Sequence, residues 1–212
     1  MVQKILLDRY GMTLTHDFLK NNIEMYLLSF QKEEVFYHTL LVVKQVEALH
    51  KRFDFDLEKC IVGAYLHDIG RVIDKTDLVE FCRTFGYEPL RGEQEAPGLL
   101  HQVASKILAT EIFGVEDKEI LDALAYHTTL KQDPTRTDMV VFLADKLSWQ
   151  EDDYRALVID MHTALEHSLE QSVYCYFDAL HRKRASLTYY HKYSQEAYGY
   201  LKGILSIEDS YK

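Results

Sequence analysis

The 212-residue sequence has little cysteine, proline and glycine. Its three cysteines, Cys60, Cys82 and Cys175, are odd in number and widely spaced, and no two of them form a Cys-x-x-Cys pair. This pattern argues against a disulfide framework and a thiolate zinc knot, and it is typical of a reducing cytoplasm. Because the chain has only three prolines and nine glycines, collagen-like and low-complexity classes are excluded and helices are favoured.

The sequence also lacks any long apolar run. The longest stretch dense in apolar residues, Cys60–Leu66, is far shorter than the roughly 20 residues of a membrane-spanning helix. The N-terminal apolar cluster is interrupted at Asp8 and Arg9, which argues against a secretory signal. Acidic residues outnumber basic ones by 34 to 24, which gives a formal net charge of −10. We therefore expect a cytoplasmic protein that binds neither nucleic acid nor a membrane.

Apolar residues recur at helical spacing almost throughout, and no segment shows the two-residue alternation of a half-buried strand. The sequence therefore predicts an all-α protein with one domain over 1–212. This domain comprises an N-terminal helix within 1–30, a core over 31–149 and C-terminal helices over 150–212, with an irregular connection over 74–98. The predicted helices are Leu14–Phe30, Glu33–Phe53, Leu57–Gly70, a short one near Leu78–Phe85, Leu99–Phe113, Asp117–Thr128, Thr137–Trp149, Tyr154–Arg184 and Tyr189–Leu205.

Six polar side chains interrupt the apolar faces of five predicted helices. A buried unpaired carboxylate costs several kcal/mol, so each aspartate among them must meet a cation or a metal ion. Taken singly, each residue has an ordinary explanation, such as a hydrogen-bonded core histidine or an ion pair of Asp68 with Arg71. Taken together they favour one shared site. The six residues are His38, His67, Asp68, His101, His127 and Asp145.

Four imidazoles and two carboxylates, without thiolates, form a ligand set suited to iron, manganese, cobalt or zinc. Six ligands exceed the needs of one tetrahedral ion with an open position, but they suit two ions about 3.5 to 4 Å apart that share a carboxylate. Two such ions lower the pKa of a bridging water towards neutrality and clamp the oxygens of a phosphoryl group. The set therefore predicts a dinuclear hydrolase.

The order of these six residues resembles the signature of the HD-domain superfamily of metal-dependent phosphohydrolases. The surrounding residues are similar to the bacterial symmetrical diadenosine tetraphosphate hydrolases, the YqeK-type family, over about residues 30–205. The motifs that carry this similarity are Tyr37-His38-Thr39, Leu66–Arg71 (LHDIGR), Leu99-Leu100-His101, Tyr126–Thr129 (YHTT) and Phe142–Asp145 (FLAD).

The resemblance implies an HD-type helical bundle with additional C-terminal helices. It also implies two metal ions, for which iron is the first choice and manganese and cobalt are also compatible. It implies symmetrical cleavage of diadenosine tetraphosphate into two ADP, with Asp68 and Arg71 as catalytic residues. Asp68 bridges the ions in this assignment. One ion is assigned to His38, His67, Asp68 and Asp145, and the other to Asp68, His101 and His127.

Arg71 stands where the family usually has lysine, and we expect it to face a phosphate oxygen of the substrate. Thr128 and Thr129 are candidates for further hydrogen bonds to the substrate. The sequence departs from the family pattern at Val35, at Leu130-Lys131 and over Lys146–Trp149, where substrate recognition is affected and the metal ligands are not. The family often has arginine in place of Val35 and Gly-Arg in place of Leu130-Lys131, and lysine is a poor substitute for an arginine that makes bidentate phosphate contacts. Lys131, Arg136 and Lys146 are candidates to supply the lost charge from new directions. The alternative is that these three cations are solvated loop and helix-end residues.

Two other functions remain open at this point. One is an HD-type phosphohydrolase of another nucleotide, for example a nucleoside monophosphate. The other is a non-catalytic module that senses nucleotides, against which the intact six-ligand set argues. In each case the expected partner is a small nucleotide. The sequence leaves the oligomeric state open, with a homodimer among the alternatives.

Overall fold

The computed structural model describes residues 16–207, with side chains from Leu19 onward. Within this range the chain forms α-helices and short 3₁₀ turns and no strand, which confirms the all-α prediction. Leu14, the predicted start of the first helix, lies outside the described residues. The α-helices are α1 His16–Ser29, α2 Glu33–His50, α3 Leu57–Leu66, α4 Leu78–Thr84, α5 Arg91–Glu95, α6 His101–Glu111, α7 Lys118–Tyr126, α8 Arg136–Leu147, α9 Arg155–Leu165, α10 Leu169–Arg182 and α11 Lys192–Ile204.

Side-chain caps fix the first turns of three helices around the core. Asp56 accepts a hydrogen bond from the Lys59 amide at the start of α3, and Asp117 accepts from two amides at the start of α7. Thr135 and Asp138 form a reciprocal capping box at the start of α8. Because these oxygens satisfy amides that have no partner within the helix, each helix begins where its cap stands.

Helix α8 is the centre of the fold. Every residue from Thr137 to Leu147 is buried, and the helix packs against α2, α3, α7, α9 and α10. From the C-terminal helices, the Phe177 ring stacks on Phe142 with 5.2 Å between centroids. A polar side chain on α8, such as that of Asp145, is therefore enclosed on several sides.

Gly70 allows a close approach between the 3₁₀ turn Ile69–Val72 and α6. Its amide donates a hydrogen bond of 2.9 Å to the Ser105 hydroxyl. A β-carbon at Gly70 would collide with the backbone of His101 and Ser105. The absence of a side chain therefore lets the turn that follows Asp68 lie directly against the first turn of α6.

Two predicted helix boundaries are wrong, and one helix was not predicted. The helix predicted over Tyr154–Arg184 is two helices, α9 and α10. The Ser168 hydroxyl accepts a hydrogen bond from the Gln171 amide and so caps the start of α10. The helix predicted to reach Gly70 ends at Leu66, and Asp68 leaves helical geometry with φ −110° and ψ 9°. The connection over 74–98 contains a second short helix, α5, that the sequence did not predict.

Candidate metal centre

The six predicted ligands converge on one end of the bundle. His38 lies on α2, His67 and Asp68 follow α3, and His101 opens α6. His127 follows the last residue of α7, and Asp145 lies in the last turn of α8. They form two groups, and in each group the candidate ligand atoms all lie within 4.8 Å of one another. The groups are His38, His67 and Asp145, and Asp68, His101 and His127.

Three of the four imidazoles are held in the same way. In each, Nδ1 lies within hydrogen-bond distance of the carbonyl oxygen three residues earlier in the chain. Because a carbonyl only accepts, Nδ1 carries the hydrogen, and the neutral ring presents a bare Nε2 to the interior. The pairs are His67 with Ala64 at 2.8 Å, His101 with Gly98 at 2.6 Å and His127 with Leu124 at 2.9 Å.

These bare acceptors face one another. His101 Nε2 lies 2.9 Å from His127 Nε2, and Asp68 Oδ1 lies 3.2 and 3.5 Å from the same two atoms. Asp68 Oδ1 and His67 Nε2 are buried without a hydrogen-bond partner. Neighbouring ligands of an octahedral ion with bonds of about 2.1 Å lie about 3 Å apart. The spacing of Asp68, His101 and His127 therefore fits a metal ion.

The second group meets the first at Asp68. His38 Nε2 lies 3.0 Å and His67 Nε2 lies 3.9 Å from Asp145 Oδ1. Asp68 Oδ2 lies 3.5 Å from His67 Nε2, whereas Asp68 Oδ1 faces the other group. Each oxygen of this carboxylate thus faces one group, as in a carboxylate that bridges two ions. The donor set therefore fits two metal ions.

Charge balance within the site keeps both carboxylates ionised. Burial alone raises the pKa of Asp68, but His67, His101, His127 and Arg71 outweigh it and hold that pKa well below its usual range. At Asp145 burial is likewise outweighed, chiefly by the charge of Lys146, and the pKa again lies well below its usual range.

The pKa values of these histidines shift in opposite directions. Burial lowers the pKa of His67, and it lowers the pKa of His127 to about 3, so both rings are neutral at pH 7. At His38 burial opposes the charged form, but the hydrogen bond and charge of Asp145 outweigh it and raise the pKa. Neutral imidazoles and ionised carboxylates are the forms that ligate a metal ion.

Arg71 connects the centre to solvent. Its Nε donates a 2.6 Å hydrogen bond to Asp68 Oδ2, and its side chain is 48% exposed. The ion pair between residues 68 and 71 that the sequence offered as an ordinary explanation is therefore present. It exists beside the convergent imidazoles, so it does not replace the metal-site interpretation.

A cleft of about 1030 Å³ opens over the centre, at the upper end of the range for small-ligand sites. His38, Asp68, His101 and Asp145 line its wall. Positive and aromatic side chains also line it, so it offers contacts for phosphates and for flat rings. These side chains are Lys32, Arg71, Lys75 and Lys146, and Tyr37, Trp149 and Tyr176.

The predicted phosphate-binding residues are only partly brought together. Thr128 lines the cleft, and its hydroxyl lies 3.3 Å from His101 Nε2. Thr129 is buried outside the cleft, with its hydroxyl against the side chain of Gln102. Gln102 also accepts hydrogen bonds from the amides of Thr128 and Thr129, so it positions the segment that carries His127.

Two of the predicted substrate-binding cations lie elsewhere, and we withdraw them. Lys131 pairs with Asp122 and Asp138 at 3.1 and 3.0 Å. Arg136 is exposed and donates to the Asp54 carbonyl. Neither lines the cleft, because each is held by a neighbour on another face of the bundle.

Lys146 is neither in a solvated position nor free to move. It is 2% exposed and lies in the last turn of α8, beside Asp145.

The sequence patterns did not indicate three other residues of the site, Gln102, Lys75 and Tyr176. A glutamine directly after His101 on an apolar helix was the one available signal for Gln102, and nothing local marks the other two.

Comparison with known proteins gives the family. The HD domain profile matches residues 35–150, slightly more than half of the chain. The chain belongs to the HD domain family. This match confirms, at the level of the family, the resemblance inferred from the six residues.

Relatives of this HD domain protein include two curated bacterial proteins. An uncharacterized protein in the pepC 5′ region of Lactococcus lactis subsp. cremoris is 41% identical over 120 residues, 57% of this chain and 62% of the relative. A symmetrical bis(5′-nucleosyl)-tetraphosphatase of Staphylococcus aureus is 29% identical over 115 residues, 53% of this chain and 58% of the relative. The alignments thus span about three fifths of these relatives.

A solved structure shares the fold. The crystal structure of a predicted HD superfamily hydrolase involved in NAD metabolism from Clostridium acetobutylicum matches with a TM-score of 0.80 and 23% identity. The match covers 91% of this chain and all of that one. Within residues 16–207, no helix combines the length and the apolar character that crossing a bilayer requires.

Proposed function

We propose that this HD domain protein is a metal-dependent phosphohydrolase that cleaves a phosphoanhydride of a small nucleotide, with diadenosine tetraphosphate cut symmetrically into two ADP as its reaction. The observation that carries the proposal is the convergence of six acceptor-bearing side chains in two groups that share Asp68. We assign His38, His67, Asp68 and Asp145 to one ion and Asp68, His101 and His127 to the other.

When bound, the ions supply Lewis acidity, which acidifies water and offsets the charge of the phosphoryl group. The chain supplies the remaining functions. The carbonyl contacts of His67, His101 and His127 keep each Nε2 bare. Arg71 lines the cleft and can turn from Asp68 to a phosphate oxygen, and Lys75 offers a second cation in the lining of the same cleft.

The name of the Staphylococcus aureus relative supports the choice of substrate, and so does the size of the cleft. Its aromatic side chains suit a ligand that carries nucleobases. Tyr37, which lines the cleft, is 67% exposed, and the ring of Trp149, another lining residue, lies 4.4 Å from the Tyr154 ring, centroid to centroid. Ring faces of this kind stack on bases in a sequence-tolerant way.

The experiment is product chromatography with protein prepared under reducing, anaerobic conditions and loaded with Fe(II), Mn(II) or Co(II). The proposal predicts ADP as the single product from diadenosine tetraphosphate. AMP plus ATP would contradict symmetrical cleavage. Phosphate release from a nucleoside monophosphate, with no action on the dinucleotide, would favour the other enzyme. Binding without turnover of any nucleotide would favour the sensing module.

A further inference from the structure

Lys146 has an unusual environment for a lysine. The side chain is buried, and Nζ donates to Asp145 Oδ2 at 2.6 Å and to the His127 carbonyl oxygen at 3.1 Å. Asp145 belongs to one candidate ligand group and His127 to the other. One ammonium group therefore connects the backbone of one group to the carboxylate of the other.

Aromatic rings hold this ammonium in place. Nζ lies 4.7, 5.4 and 5.8 Å from the ring centroids of Phe142, Trp149 and Tyr176. A cation within about 6 Å of a ring face is attracted to it. Phe142 lies one turn before Lys146 on α8 and Tyr176 comes from α10, so the C-terminal part of the chain completes the cage.

The two oxygens of Asp145 have different partners. Oδ2 accepts from Lys146, whereas Oδ1 faces His38 and His67. A hydrogen bond to one oxygen restricts rotation of the carboxylate about its terminal bond. Hydrogen-bond partners of a ligating group commonly matter 10- to 100-fold for metal affinity.

We propose that Lys146 is a positioning residue for the metal centre: it fixes Asp145 with Oδ1 towards His38 and His67, and it ties this carboxylate to the segment that carries His127. The inference rests on the proposed metal centre. It replaces the expectation that Lys146 binds the substrate directly. Two of its ammonium hydrogens are already committed to protein oxygens.

A positioning role and a simple charge effect predict opposite changes in metal affinity when Lys146 is replaced. If Lys146 acted only as a positive charge, its removal would strengthen the binding of a cation, because repulsion would be lost. If Lys146 positions Asp145, its removal weakens that binding, because the carboxylate loses its preferred orientation. The direction of the change therefore separates the two roles.

The test is a calorimetric titration of anaerobic, metal-free protein with Mn(II), using wild type, Lys146→Met and Lys146→Gln. Methionine keeps most of the aliphatic chain of lysine and loses both hydrogen bonds, whereas glutamine keeps a donor on a shorter side chain. We expect the affinity for one of two ions to fall about tenfold or more with methionine and by less with glutamine. Lys75→Met is the matched control, since Lys75 lines the same cleft, where it lies exposed.

For Lys75→Met we expect Mn(II) affinity that equals or slightly exceeds the wild-type value. Circular dichroism identifies the folded variants, and if methionine prevents folding, the glutamine variant provides the comparison. Unchanged or tighter binding by the folded Lys146 variants would overturn the positioning role. Wild-type protein that fails to bind two ions would instead overturn the proposed metal centre, so the two failures are distinguishable.

Discussion

Asp68 is the residue on which the two ligand groups depend. Its Oδ1 faces His101 and His127, and its Oδ2 faces His67 and accepts from Arg71. The Asp68 carboxylate is 97% buried and still ionised, because its cationic and polar neighbours outweigh the effect of burial on its pKa. The arrangement places Arg71 beside the centre without making it a ligand.

Replacing Arg71 by alanine should therefore damage catalysis and leave metal binding intact. We expect kcat/KM for the nucleotide to fall about 100-fold, the usual cost of one lost charge-stabilising donor, with both ions retained. Steady-state kinetics and elemental analysis on the same preparation measure the two effects.

Arg91→Ala is the control for this variant. Arg91 is 94% exposed on α5 and pairs only at the surface with Glu95. We expect wild-type kinetics for it. Loss of metal from the Arg71 variant, or kinetics like those of the control, would contradict a role in phosphate binding.

The sequence was sufficient to indicate the six candidate ligands that the structure brings together, because polar residues on apolar helix faces are visible without a structure. It was insufficient for Lys146. A lysine next to Asp145 at the end of a helix is ordinarily solvated. Here the packing of Tyr176 from α10 completes an aromatic cage around it that Phe142 and Trp149 begin. Such burial depends on residues distant in the chain, which local patterns do not contain.

At the scale of elements, the end of α7 shows how a departure from the family pattern is accommodated. The resemblance places glycine where this chain has Leu130. Leu130 has φ 56°, a left-handed conformation that favours glycine, and its amide donates to the Tyr126 carbonyl. Its side chain is fully buried, so hydrophobic burial offsets the backbone strain.

Two substitutions at Leu130 separate these terms. Leu130→Ala loses the burial and keeps the strained backbone, for which we expect a loss of about 3 kcal/mol in the free energy of unfolding. Leu130→Gly loses the same burial but relieves about 1 kcal/mol of strain. Urea denaturation should therefore find the glycine variant more stable than the alanine variant, and the reverse order would refute the strain.

The connection over 74–98 is tied to the C-terminal helix by a buried carboxylate that the sequence did not reveal. Glu93 accepts hydrogen bonds from the Tyr87 hydroxyl, the Leu90 amide and His191 Nε2, which lies 3.0 Å away. Burial alone raises the pKa of Glu93, but these donors outweigh it and lower that pKa below its usual value of 4.5.

Because the folded protein binds this proton less readily than the unfolded chain, Glu93 stabilises the fold above about pH 4.5. That contribution is lost as the pH falls through the lowered pKa. Glu93→Gln should cost about 2 kcal/mol at pH 7, and the difference from wild type should shrink below pH 4.5. Urea unfolding at pH 7 and pH 4 checks this, and a difference independent of pH would contradict the charged hydrogen bonds.

At the scale of the whole molecule, the helix order could be predicted because apolar periodicity and capping residues are local signals. The break between α9 and α10 at Ser168 and the short helix α5 could not, since apolar spacing continues across the first and Gly92 weakens the second. The division of the chain into an N-terminal helix, a core over 31–149 and C-terminal helices remains our proposal.

The measurement that tests the account most directly is the metal content of anaerobically purified protein, compared with that of Asp68→Ala. We predict two ions per wild-type chain. We predict that the variant loses them together with its turnover, because one carboxylate serves both groups. A folded wild-type protein that holds no metal, or an Asp68→Ala variant with two ions and normal activity, would contradict the central claim.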